Sequence, residues 1–141
     1  MMTLIIVLHL AGLFVWIGSL LFPLIALKAQ PLAYLESLQR VKPWVMGAMA
    51  LSVVTGTIQI MSLGGFKALP MAFHIKLTLA LVMLAITLLQ FLYFLPKAQQ
   101  SLSAGHSAAD VNLLKGLTIC ATSSILCALA ILYILASLGI L

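Results

Sequence analysis

Four long apolar runs, separated by short polar stretches, make up most of this chain. The runs are 3–27, 43–63, 70–95 and 111–140. About 20 consecutive apolar residues are needed to cross the hydrocarbon core of a bilayer as a helix. Each run reaches that length, so the sequence predicts four transmembrane helices within a single domain.

The composition excludes an ordinary soluble domain. Of the 141 residues, 65% are hydrophobic and 6% are charged, whereas soluble domains have roughly 25% charged residues. The runs are also too long for the strands of an outer-membrane barrel, which have about 10 residues of alternating polarity. Short connections between successive helices predict antiparallel neighbours. We therefore expect an all-α fold, an up-down four-helix bundle in the membrane.

The basic residues predict how the bundle is oriented. Most of them flank the first and third connections: Lys28, Arg40, Lys42, Lys97 and Lys115. The middle connection has only Lys67. Cytoplasmic loops carry the excess of Lys and Arg. We therefore expect loops 28–42 and 97–112 in the cytoplasm and both termini outside, in the plasma (inner) membrane of a bacterium.

Two histidines lie inside apolar runs, where polar side chains are costly and often functional. His9 is about two turns into the first helix, and His74 is about one turn into the third. We take these helices to run in opposite directions and expect both imidazoles in the outer leaflet at similar depth. Two imidazoles facing each other from different helices can be axial ligands of a b-type haem. The alternative is that each histidine only forms structural hydrogen bonds.

Small and polar residues recur at helical spacing on the first two helices. On the first helix these are His9, Gly12, Trp16, Ser19 and Pro23. On the second they are Ser52, Thr55, Gly56 and Gln59. Such stripes can line a cofactor site, in which case Gly12 leaves room for the edge of a macrocycle. They can equally be helix-packing surfaces.

Further candidates for the site are Thr78, one turn after His74, and Tyr133, near the outer end of the fourth helix. Gln59 reaches the same outer depth. Lys76 is two residues from His74 and points away from it around the helix. It can extend to the lipid headgroups or meet an acidic group such as a haem propionate.

The seven methionines suggest copper as an alternative ligand, because thioethers bind Cu(I). Met61 and Met71 flank the connection that we expect outside. Methionine also fills hydrophobic cores without any metal. No HExxH or CxxC pattern occurs, and the single Glu and single Asp form no carboxylate pair for hydrolysis.

Three segments resemble a known group of proteins. They are LHLAGLFVWIGSLLFP, LESLQRVKPWVMGAMALSVVTGTIQI and PMAFHIKLTLALVML. In order and spacing they are similar to the first three helices of small four-helix membrane proteins related to HemJ-type protoporphyrinogen oxidase and the copper-resistance D (CopD) family.

That resemblance implies a b-type haem held by His9 and His74, with Lys76 as a functionally important, candidate catalytic lysine. For a HemJ-type protein it implies oxidation of protoporphyrinogen IX with electrons passed to quinone. For a CopD-type protein it implies copper transport or resistance. A third hypothesis is a structural or assembly subunit without a cofactor. Expected partners are the lipid bilayer, a porphyrin or quinone, and a second copy of the chain.

Overall fold

The computed structural model describes residues 1–27, 31–105 and 107–137, so Lys28 and His106 lie outside the described residues. The described residues form helices and turns, without a strand. The elements are α1 (Met2–Leu27), α2 (Pro31–Ser62), a 3₁₀ turn (Phe66–Ala68), α3 (Met71–Leu89), a π-helical turn (Gln90–Phe94), α4 (Leu95–Ser103) and α5 (Ser107–Ser137).

Four helical segments are long and apolar enough to cross a membrane, which confirms the predicted all-α class and the number of candidate spans. These segments are Met2–Leu24, Ala33–Ser62, Met71–Ser103 and Asn112–Ile134. Large hydrophobic side chains cover their outer surfaces: Phe14 is 69% exposed and Phe22 is 62% exposed. Such a surface suits lipid and does not suit water.

The second helix begins twelve residues earlier than we expected. α2 starts at Pro31 and passes through Pro43 without a break, so the expected start at 43 was wrong, and residues 31–42 of the expected loop are helical. A proline inside a helix removes one backbone hydrogen bond and disfavours the helix. Burial of Tyr34, Leu35 and Leu38 in the first turns of α2 offsets that cost.

The expected end of the third helix at 95, just before Pro96, was also wrong. The helical path continues from α3 through the π-helical turn into α4 and reaches Ser103. Pro96 lies in the first turn of α4, where the wider π-helical turn before it accommodates the ring. Because α5 begins at Ser107, the expected loop 97–112 is mostly helical.

The helices form a ring. In this ring α1 packs on α2, and both α3 and α4 pack on α5. Contacts of α1 with α5 and of α2 with α4 close the ring. α1 and α2 are antiparallel, since the Ser62 hydroxyl donates to Met2 Sδ at 3.6 Å. We call this end of the bundle the Met2 end. α2 and α4 meet at the opposite end, the Glu36 end, around a cavity of about 260 Å³ lined by Leu35, Glu36, Gln39, Gln99 and Leu102.

These contacts fix the directions of the helices. Because α2 is antiparallel to both α1 and the α3–α4 path, α1 and α3 run in the same direction and lie diagonally across the ring. The expectation that they run in opposite directions was therefore wrong. Both start at the Met2 end, which still places His9 and His74 towards the same end of the molecule.

Two glycines end α2, as the sequence predicted. Gly64 and Gly65 have φ values of 94° and 82°, a region that favours glycine. The Gly65 amide donates to Ile60 O at 3.0 Å, the long backbone hydrogen bond that typically closes a helix C-terminus. The chain then enters α3 eight residues after α2 ends.

The buried core is concentrated away from the Met2 end. Among the described residues, α1 has no buried residue before Gly12, α2 has none after Thr55, and α3 has none before Met83. Nearer the Glu36 end, Tyr34, Phe91 and Leu117 are fully buried. Towards the Met2 end α1, α2 and α3 are therefore less tightly packed than towards the Glu36 end, and buried residues there come from α5, at Ala128 and Ile131.

Gly12 allows α1 to lie directly on α2. A Cβ at Gly12 would lie 2.6 Å from Ser52 Oγ and 3.2 Å from the backbone oxygen of Ala48. Close approach at small residues is the usual way in which helices associate in lipid. By contrast, a Cβ at Gly18, on the same helix, would meet nothing within 4 Å.

We predict that Gly12→Ala destabilises the bundle by about 1–3 kcal/mol, because α1 must move away from α2. Gly18→Ala is the matched control and should stabilise α1 by up to about 1 kcal/mol. Thermal unfolding of the purified variants in detergent measures both effects. Equal melting temperatures for the two variants would contradict the close approach at Gly12.

Candidate functional site at the Met2 end

His9 on α1 is held by the backbone and one side chain of α2. Its Nδ1 lies 3.0 Å from Ser52 O and 3.1 Å from Thr55 Oγ1. The Thr55 hydroxyl donates its own hydrogen to Leu51 O at 2.6 Å, so it can only accept from His9. Since both partners accept, Nδ1 must carry the proton, and the lone pair of Nε2 is left available.

The imidazole of His9 also rests on a glycine. A Cβ at Gly56 would lie 3.2 Å from His9 Cε1, tighter than ordinary van der Waals contact. One turn further along α2, Gln59 Nε2 donates to Ile5 O at 3.5 Å, which is a long and weak hydrogen bond. Ser52, Thr55, Gly56 and Gln59 thus form one face of α2 against α1, as their spacing predicted.

The other residues of the α1 stripe pack inside the bundle. Ser52 and Ala48 fill the space beside Gly12, so Gly12 supports helix packing at this point. Trp16 is 3% exposed and lies about two turns deeper than His9. Its indole Nε1 donates to Thr87 Oγ1 at 3.2 Å, a contact that crosses the diagonal from α1 to α3.

His74 lies on α3 and is half-buried. Within the described residues no hydrogen-bond partner reaches its ring. Its backbone carbonyl accepts from the Thr78 hydroxyl at 2.9 Å. Neither ring nitrogen of His74 is therefore used in a hydrogen bond within the described residues.

Lys76 brings positive charge to the Met2 end. Its Nζ lies 5.7 Å from the centroid of the Phe73 ring, within the range of a cation–π contact. Lys76 lies towards the same end of the bundle as His9, because α1 and α3 both start at the Met2 end. The start of α3 and the first third of α1 thus converge on one region.

The contact between Trp16 and Thr87 gives the register of α1 against α3. His9 precedes Trp16 by seven residues, and His74 precedes Thr87 by thirteen. At 1.5 Å per residue, this difference places the His74 backbone about 9 Å nearer the Met2 end than the His9 backbone. The two histidines share one end of the bundle, with His74 closer to its rim.

Two of the candidate residues make no hydrogen bond to either histidine ring within the described residues. Thr78 is exposed, and its hydroxyl is directed to its own helix. Tyr133 on α5 is 77% exposed, and none of its contacts within the described residues joins it to the histidines. Neither residue belongs to the set that the structure brings together.

A second group of polar residues, which was not predicted from the sequence, lies deep in the bundle. The fully buried members are Tyr34, Thr87, Gln90 and Ser124. A glutamine inside the apolar run was the available signal for Gln90, because a polar residue at membrane depth suggests a function. Tyr34 gave no such signal, since it fell in a stretch that we expected to be a loop.

Among the described residues, no group of three or more His, Cys, Asp or Glu side chains is placed to hold a metal ion. A site in this part of the chain therefore depends on fewer ligands, such as a pair of histidines. In comparisons with known proteins, no family model, no curated protein and no solved structure matches the chain significantly. The resemblance to HemJ-type and CopD-type proteins stays a prediction.

We predict that His9 is the neutral tautomer protonated on Nδ1, because both of its partners accept. Nitrogen-15 spectra of histidine-labelled protein at pH 8 distinguish this tautomer from the one protonated on Nε2. The signal is assigned by its loss in His9→Asn. Thr57→Val is the control, since the exposed Thr57 hydroxyl bonds only within α2, and it should leave the His9 signal unchanged. A proton on Nε2 would contradict the arrangement.

Proposed function

We propose that this chain is a multi-pass membrane protein that binds a b-type haem at the Met2 end, where His9 and His74 would hold it, and acts in electron transfer. One observation carries the proposal. The His9 imidazole is fixed through Nδ1 and presents a free Nε2 at the less tightly packed Met2 end.

The surroundings of His9 suit a metal ligand. A ligating histidine usually donates its second ring N–H to a carbonyl or carboxylate, which fixes the tautomer and the ring orientation. Ser52 O and Thr55 Oγ1 provide this support for His9. The Gly56 contact holds one edge of the ring, so the imidazole cannot turn without losing these contacts.

The opposite side of the Met2 end supplies the second ligand. His74 has a ring without protein partners in the described residues, and it lies on the helix diagonal to α1. The two histidine backbones are offset by about 9 Å along the bundle axis, so the two side chains would hold the haem from different heights. Lys76 has the charge to pair with a propionate of a macrocycle seated between α1 and α3.

A b-type haem supplies one-electron redox chemistry when bound. The protein residues position it: His9 and His74 hold the iron, and Lys76 neutralises one edge of the ring. Oxidation of protoporphyrinogen IX with electrons passed to quinone is the reaction that the sequence resemblance favours. Lys76 is the residue placed to meet an acidic porphyrin substrate.

We predict that the protein, purified in mild detergent from haem-supplied cells, has a Soret band, and that His9→Ala removes most of it. His74→Ala should leave a weaker, shifted band, because one axial ligand remains. Absorption spectra and a haem assay per mole of protein provide the measurement. His106→Ala is the histidine control and should retain the wild-type spectrum.

Size-exclusion profiles of the same variants show whether the bundle is intact. A colourless wild-type protein would refute haem binding. If the haem content of His9→Ala and the wild-type protein were equal, His9 would not be a ligand. A protein without haem and without metal would support the cofactor-free assembly subunit instead.

Copper handling is the second candidate, and the placement of three methionines favours it. Met2, Met61 and Met71 all lie at the Met2 end, near the two histidines. Met61 is 74% exposed and Met71 is 77% exposed. Thioether and imidazole ligands together suit copper. Metal analysis of the purified protein, loaded with Cu(I) under reducing conditions, separates this function from haem binding.

We also propose that the Met2 end faces the outside of a bacterial plasma membrane and the Glu36 end faces the cytoplasm. Arg40, Lys42, Lys97 and Lys115 lie towards the Glu36 end, whereas Lys67 lies at the Met2 end. This distribution follows the positive-inside rule. The histidines and Lys76 would then open towards the outer leaflet.

We predict that, in a variant whose native cysteines are replaced by alanine, Lys67→Cys reacts with a membrane-impermeant maleimide in intact cells. Ser103→Cys should react only after permeabilisation. Both positions are exposed, so access depends on the side of the membrane. Mass-tag shifts on gels measure the labelling, and the reverse pattern would overturn the proposed orientation.

A further inference from the structure

The cavity at the Glu36 end, between α2 and α4, combines apolar and polar side chains. Leu35 and Leu102 contribute the apolar part of its lining, and Glu36, Gln39 and Gln99 contribute the polar part. Sites for small ligands typically have an apolar lining with a few polar groups that fix the orientation of the ligand. The polar groups therefore indicate which chemistry the cavity can bind.

The Glu36 carboxylate is a negative charge without a partner, on a chain whose formal net charge is +5. Within the described residues it has no ion pair and no hydrogen bond, although Arg40 follows it by one turn of α2. An ionised carboxylate only accepts hydrogen bonds, and each glutamine side chain also has an acceptor oxygen. Three acceptors around one cavity suit a primary ammonium group, which has only donors.

The cavity lies where two candidate spans end, at the depth of lipid headgroups. Ala33–Ser62 has 30 residues and begins beside the cavity, and Met71–Ser103 has 33 residues and finishes beside it. At about 1.5 Å per residue, spans of this length are longer than the hydrocarbon core of about 30 Å. Their ends therefore extend out of the acyl chains.

Three exposed side chains of α2 follow the order of the groups in a phospholipid. Trp44, Arg40 and Glu36 are all exposed, and residues four apart are neighbours on a helix surface. Each lies about 6 Å further out than the one before. An exposed Trp suits the membrane interface, a guanidinium group binds phosphate, and a carboxylate one turn further out can bind an ammonium group.

We propose that the Glu36 end binds the headgroup of phosphatidylethanolamine, with the ammonium group in the cavity against Glu36 and the phosphate on Arg40. The primary ammonium group has three N–H donors for the carboxylate and the two glutamine oxygens. The quaternary ammonium group of phosphatidylcholine has none, so the site distinguishes the two lipids. This lipid site is independent of the proposed haem site, which lies at the other end of the bundle.

Native mass spectrometry of the full chain tests the proposal, after lipid removal in detergent and addition of phosphatidylethanolamine and phosphatidylcholine with the same acyl chains at equal concentration. We expect the wild-type protein to retain phosphatidylethanolamine at least about threefold more than phosphatidylcholine, the size expected of an ion pair open to solvent. Glu36→Gln should bring this ratio close to one. Arg40→Gln should weaken retention of both lipids, because both have a phosphate.

Two adjacent glutamines provide the matched control. Gln99 lines the cavity, whereas Gln100 is exposed and is not among the described lining residues. Gln99→Ala should lower the preference for phosphatidylethanolamine, and Gln100→Ala should leave it unchanged.

Equal retention of the two lipids by the wild-type protein would overturn the proposal, and that measurement requires no variant to fold. An unchanged preference in a folded Glu36→Gln variant would also overturn it. If free ethanolamine at the same concentration displaced the lipid, the cavity would be a site for a soluble amine and the lipid proposal would fail.

Discussion

The close contact of α1 with α2 determines the placement of the candidate site. In lipid, apolar side chains gain little by leaving one apolar surface for another, so helices depend on tight packing and hydrogen bonds. At Gly12 the missing Cβ lets α1 reach Ser52 and the backbone of Ala48. One turn away, the same approach lets His9 reach Ser52 O. The close approach at Gly12 thus determines both how α1 packs on α2 and how the His9 side chain is oriented.

The distribution of burial separates two parts of the molecule. Near the Glu36 end, Tyr34, Phe91 and Leu117 close the core. At the Met2 end α1, α2 and α3 have no buried residue within the described residues, and the buried residues there are Ala128 and Ile131 of α5; His9 and Lys76 lie at the same end. A bundle with one tightly packed end and one loosely packed end can bind a ligand without unfolding, because its stability comes mainly from the tightly packed half.

Hydrophobicity alone gave the fold class and the number of candidate spans, and helical spacing gave the face that α2 turns to α1. Sequence reasoning failed at Pro43 and Pro96, because burial of distant residues decides whether a helix continues through a proline. The expectation that α1 and α3 run in opposite directions was also wrong, because the two helices run in the same direction. The tautomer of His9 could not be predicted from the sequence, because it depends on the Thr55 hydroxyl donating its hydrogen to Leu51 O.

The π-helical turn between α3 and α4 has a consequence for the length of the chain. Such a turn holds one residue more than an α-helical turn, and it usually keeps the flanking faces in phase. Loss of the exposed Leu92 could therefore convert the turn into a regular helix while Leu95 and Ala98 continue to face the core. Homologous chains that are one residue shorter at this point would keep the same packing. A one-residue gap here in an alignment would therefore indicate that the π-helical turn is replaced by a regular α-helical turn in an otherwise unchanged bundle.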